Sequence, residues 1–137
     1  MSTLQKQIRA AIAANIQAGT GLTPLMSPRC DVATLDLPCV CLFSHGDKPQ
    51  DEEEDHQKAH HRIYTVAVDV SAEGRPEEDA TDDLAVKVRQ AVLSDDSLGG
   101  LVDRVIWADQ IWAGVEGETP MAGTVLIFNC FYLWRPE

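Results

Sequence analysis

The sequence predicts a single α+β domain, with a mixed, mostly antiparallel β-sheet and two main helices packed on one face. Three observations lead there. Thr124 to Trp134 runs eleven residues without a charge, a Gly or a Pro, and Val, Ile, Phe, Tyr and Trp are prominent in it. Such side chains suit a pleated surface. Tyr64, Val66, Val68 and Val70 alternate with Thr65, Ala67, Asp69 and Ser71, the period-two pattern of a strand with one covered face. Leu4, Ile8, Ile12 and Ile16, and later Leu84, Val88 and Val92, recur four residues apart, which puts an apolar stripe on each of two helices. At 137 residues the chain is one domain on length alone. It is long enough to bury about two-thirds of its unfolded surface.

In chain order, the first helix is expected over Ser2 to Gln17. Ser2 is its cap, Gln5 stands at the capping-box position, and Gly19 and Gly21 end it. Thr20 to Leu37 reads as irregular, because Pro24, Pro28 and Pro38 limit regular structure. Leu22, Leu25 and Met26 are expected to pin this segment to the core. Pro38 to Phe43 reads as a short buried strand. Residues 44–61 then form a long acidic hairpin loop, in which nothing apolar larger than Ala59 appears. Such a stretch cannot bury itself, and long loops in compact domains tend to carry function.

Arg62 to Glu73 is the second strand. Glu77, Glu78, Asp79, Asp82 and Asp83 open the next helix, placed over residues 77–93, and Lys87 and Arg89 come later. That order suits the helix dipole. Leu98, Leu101 and Val102 suggest one further helical turn. Arg104 to Val115 is a third long strand; unbroken alternation would set Val105, Trp107, Asp109 and Ile111 against Ile106, Ala108, Gln110 and Trp112. Gly117 to Pro120 turns into the C-terminal strand. Both faces of that strand are apolar, so it is expected at the centre of the sheet and covered on both sides.

Composition excludes several classes of function. A net charge of −11 argues against nucleic acid held through its phosphates and against anionic membrane surfaces. The N-terminus lacks the basic start and apolar run of a signal peptide. The four cysteines are therefore expected to be reduced thiols in a cytosolic chain. Cys39 and Cys41 are expected neither to share a metal nor to form one disulfide. No stretch approaches the roughly 20 apolar residues of a membrane helix.

Catalytic chemistry finds little footing. No G-x-S-x-G, phosphate-binding glycine loop, H-E-x-x-H or nucleotide fingerprint occurs. The histidines are His45, His56, His60 and His61. His56 and His60 have a spacing seen in zinc sites, yet the stretch has no apolar anchor to hold a rigid cage. No enzyme activity, metal or cofactor is expected. Trp107, Trp112 and Trp134 lie near strand ends or on mixed faces, where an amphipathic ring can serve an interface. The chain therefore reads as an interaction protein.

The layout resembles the tail terminator (minor tail protein U) family of long-tailed, lambda-like phages. The resemblance starts with the helix Leu4 to Ile12 and continues through Asp36-Leu37-Pro38 into the strand Cys39 to Leu42. It then follows the charged hairpin loop, the strand Tyr64 to Val70, the acidic helix from Asp82, and a closing pair of strands with an aromatic tail. The hairpin loop is longer and more acidic than the family pattern. The resemblance implies a structural protein of a phage or prophage virion, present in the host cytoplasm during assembly. It would form a homo-oligomeric ring, hexameric in that family, on the last ring of the tail tube. Such a ring ends tube polymerisation and presents a surface to the head–tail connector. Its partners are then copies of itself, the tail tube protein and the connector. DNA passes through the lumen without specific binding. The candidate partner-interface residues are Asp51, Glu52, Glu53, Glu54, Asp55, His56, His60 and His61 of the loop, Arg62 at its base, and Arg9 on the first helix. The alternatives are another neck protein, for head–tail joining or tail completion, and a small metal-binding protein using the His and acid residues of the loop.

Overall fold

The computed structural model of the chain describes residues 3–26, 38–51, 57–73, 80–115 and 121–136. The elements run α1 (Leu4–Thr20), β1 (Cys39–Pro49), β2 (His60–Glu73), α2 (Ala80–Leu93), β3 (Arg104–Val115) and β4 (Met121–Trp134). The four strands form one sheet in the order β1-β2-β4-β3, and each neighbouring pair is antiparallel. A single parallel bridge from Leu25 to Cys41 is added at the β1 edge. This is the α+β arrangement that the sequence predicts.

The core lies between the helices and one face of the sheet. Ile8, Ile12 and Ile16 of α1 and Val88 and Val92 of α2 are fully buried. They pack with Val40 and Leu42, with Tyr64, Val66, Val68 and Val70, and with Leu126, Phe128 and Cys130. β4 is central, as its composition requires. Among the described residues, its helical cover is one-sided. Val125, Ile127, Phe131 and Leu133 on its other face stay half-buried, and both helices lie on the core side.

Helix α1 differs at both ends from the sequence reading. Thr3, not Ser2, is the cap, and its Oγ1 accepts from the Lys6 amide at 3.2 Å. The helix runs through Gly19 to Thr20 and ends at Gly21, whose φ of 77° lets its N–H reach the Gln17 carbonyl at 2.9 Å. Gly19 is a contact residue instead: a Cβ built there would lie 2.5 Å from the Ala91 Cβ of α2.

The hairpin loop is shorter than residues 44–61. β1 continues to Pro49, β2 begins at His60, and the Gln50 amide donates to the His61 carbonyl at 2.9 Å. Polar contacts, rather than apolar burial, hold this half of the hairpin, so hydropathy gave no sign of it. After α2 the chain makes no further helical turn. Leu98, Gly99 and Gly100 all have positive φ, at 50°, 69° and 91°. The Asp95 carboxylate ties the turn together, accepting from the Ser97 amide and hydroxyl and from the Gly99 amide at 2.8–3.2 Å. This delivers Leu98 and Val102 to the core.

In β3 a bulge between Trp107 and Asp109 shifts the register against β4. Two residues then oppose one, and alternation changes phase. Val105, Trp107, Gln110 and Trp112 therefore share the helix-side face, and Arg104, Ile106, Asp109 and Ile111 the other. The grouping drawn from unbroken alternation fails beyond Trp107. A second bulge, between Ser44 and Gly46, lies in β1. Cysteine usage also departs from expectation. Cys39 and Cys130 are free, while Cys41 is disulfide-bonded.

Candidate interaction site

The residues singled out on the sequence separate into three groups. Glu52, Glu53, Glu54, Asp55 and His56 lie outside the described residues, and Asp51 stands exposed just after β1. His61 is exposed on the sheet face away from the helices. His60, Arg62 and Arg9 all turn inward, into a polar cluster where the N-terminal half of α1 crosses the base of the β1–β2 hairpin.

Asp47 is the hub of this cluster. One carboxylate oxygen accepts from Arg62 Nε at 2.7 Å. The other accepts from the Tyr132 hydroxyl at 2.6 Å and from Gln5 Nε2 at 3.0 Å. The hydrogen bond it donates to Asp47 holds the Arg62 guanidinium above its ordinary pKa. Burial, then the Asp47 carboxylate, pushes the Tyr132 hydroxyl well above the usual phenol range. His60 is buried, with Nδ1 2.8 Å from the Lys58 carbonyl and Nε2 2.9 Å from Arg62 Nη1. The carbonyl can only accept and the guanidinium can only donate, so the ring proton sits on Nδ1. The ring also leans on Trp134, with centroids 5.3 Å apart. One turn along α1, Arg9 Nη1 donates to the Ser44 hydroxyl at 2.8 Å and to the Tyr64 hydroxyl at 2.7 Å.

This arrangement ties the hairpin base to α1 and β4, and its hydrogen bonds are spent inside the chain. Arg62, a candidate partner-interface residue on the sequence, pairs with Asp47 of its own chain. Arg9 likewise faces the sheet. His60 and His61 stand on opposite faces of β2, so they do not converge on one ion. Among the described residues no group of three His, Cys, Asp or Glu side chains is placed to hold a metal. No described helix is long and apolar enough to cross a membrane.

The exposed apolar residues lie elsewhere. Ile106, Trp107, Ile111 and Trp112 are exposed along β3, and Val86 of α2 is exposed beside Trp107 and Trp112. Asp82, Val86, Arg89, Trp107 and Trp112 line a shallow groove of about 200 Å³ between α2 and β3. The Arg89 guanidinium lies 4.2 Å from the centroid of the Trp107 ring. Trp112 Nε1 donates to Asp82 at 3.1 Å. Each indole is thus oriented by α2 while remaining exposed. The sequence had pointed to Trp107 and Trp112 as interface rings. Ile106 and Ile111 were missed; Ile111 lies beyond the bulge, which reverses its face and has no composition signal. Leu25 and Met26, expected to pin the chain to the core, are exposed as well; Leu25 is spent on backbone bonds, its amide donating to Val40 and its carbonyl accepting from Leu42, both at 2.8 Å. Neither the known protein-family models nor the curated proteins contain a match to this chain.

Proposed function

We propose that the chain is a structural subunit of a phage or prophage tail, forming a hexameric ring that caps the tail tube. The ring ends tube polymerisation and offers the surface on which the head connector joins. The observation that carries this reading is apolar surface left over after the core is complete: Ile106, Trp107, Ile111 and Trp112 lie exposed along one strand. Large aromatic side chains with open faces are the commonest anchors of protein interfaces. The element order α1-β1-β2-α2-β3-β4 is also the layout on which the resemblance to tail terminators rests. The charge of −11 suits a lumen past which DNA slides without sticking.

The direct test adds the purified chain to polymerising tail tube protein and measures tube lengths by negative-stain electron microscopy. Tubes should stop lengthening and carry a ring of added density at one end. Unchanged length distributions and bare ends at saturating chain would contradict the reading.

A further inference from the structure

We infer that the surface around Trp112 takes an arginine side chain from a basic segment of a partner protein. The site uses exposed indoles that the ring reading also uses, but it needs no ring. The chain itself supplies the pattern. The Arg89 guanidinium of α2 lies 4.2 Å from the centroid of the Trp107 ring, the placement of a cation over an aromatic face. Trp112 is the second indole on that face of β3, and at 61% it is the most exposed large apolar side chain among the described residues. None of the described cations lies over it.

The charges around Trp112 select the ligand. Asp82 accepts from Trp112 Nε1 at 3.1 Å and so stands at the ring edge. At the bulge, Asp109 joins Trp107, Gln110 and Trp112 around a second hollow of about 350 Å³. Asp109 accepts from the neighbouring Gln110 amide at 2.8 Å. Both carboxylates are exposed, and among the described residues neither is paired with a cation. The other nearby cations are directed elsewhere: Lys87 lines the groove between α1 and α2, and the Arg104 guanidinium lies over Phe131 at 4.7 Å. Arginine fits this set better than lysine does. Its planar guanidinium can stack on a ring and donate to a carboxylate at once, and it is the more weakly hydrated cation. The net charge of −11 adds long-range attraction for a basic segment.

The test is the fluorescence anisotropy of a fluorescein-labelled peptide of alternating glycine and arginine, titrated with the full chain at low salt. Control peptides carry lysine, or the neutral isostere citrulline, in place of arginine. The arginine peptide should bind several-fold more tightly than the lysine peptide, and the citrulline peptide should not bind. Trp112→Leu and Asp109→Asn should each weaken arginine binding several-fold while circular dichroism shows both variants folded. Arginine binding that is unchanged in either variant belongs to the acidic surface at large and overturns the site. Equal binding of the lysine peptide, or no binding by the parent, overturns it as well. Light scattering on the same samples separates this site from the ring. A strict monomer that binds the peptide contradicts the ring and leaves the site standing, and a ring that does not bind it does the reverse.

Discussion

Asp47 carries more structural weight than any other charged side chain described here, and nothing in its sequence neighbourhood announces it. Ser44-His45-Gly46-Asp47-Lys48 reads as loop, yet the carboxylate gathers Arg62, Tyr132 and Gln5 from three elements. Asp47→Ala would leave a partly buried guanidinium and a hydroxyl without their acceptor. Unmet partners of this kind cost about 1–3 kcal/mol, so the urea midpoint should fall accordingly, with the slope unchanged. Asp69 makes the opposite prediction. Burial raises its carboxyl pKa, partly offset by a hydrogen bond from Ser71. The folded chain then holds this proton more tightly than the unfolded chain does. Stability from this group is therefore fully present below the ordinary carboxylate pKa and is lost as pH rises through the raised one. Asp69→Asn should remove that decline and should match or exceed the parent at neutral pH, as read by urea titrations across the acid range.

At the scale of elements, the helices and the two central strands were legible because each has a strong period. Ile8, Ile12 and Ile16 are buried as their spacing requires, and the β2 alternation survives intact. What the sequence hid were the points where one residue changes the phase. The bulge at Trp107/Asp109 swaps the faces of half a strand, and no residue type marks it. Gly19 misled in the other direction, since a glycine near a helix end reads as a terminator. Its missing side chain instead lets α1 approach Ala91 of α2. Gly19→Ala would gain about 1 kcal/mol of helix propensity and lose about 1–3 kcal/mol to overpacking. Two Cβ atoms cannot sit 2.5 Å apart, so the helices must separate and the loss should win. Gly19→Ala with Ala91→Gly should recover most of the lost thermal stability, whereas the single change should lower the melting temperature.

For the whole molecule, the α+β class followed from the periodicity of the helices and strands. The surface was less readable. Acidic residues drew attention to the hairpin loop, while among the described residues the large exposed apolar side chains lie along β3, on neighbouring α2 and at Leu25–Met26. Edges appear only once strand order is known, and β1 and β3 become edges because β4 inserts between β2 and β3. The central claim is that this surplus apolar surface serves a closed ring. It is tested most directly by the mass in solution, by light scattering after size exclusion, across concentration and salt. The account predicts a species near six times the 15.0 kDa chain mass, or a monomer that converts to it when tail tube protein is added. A strict monomer under all of these conditions would contradict it.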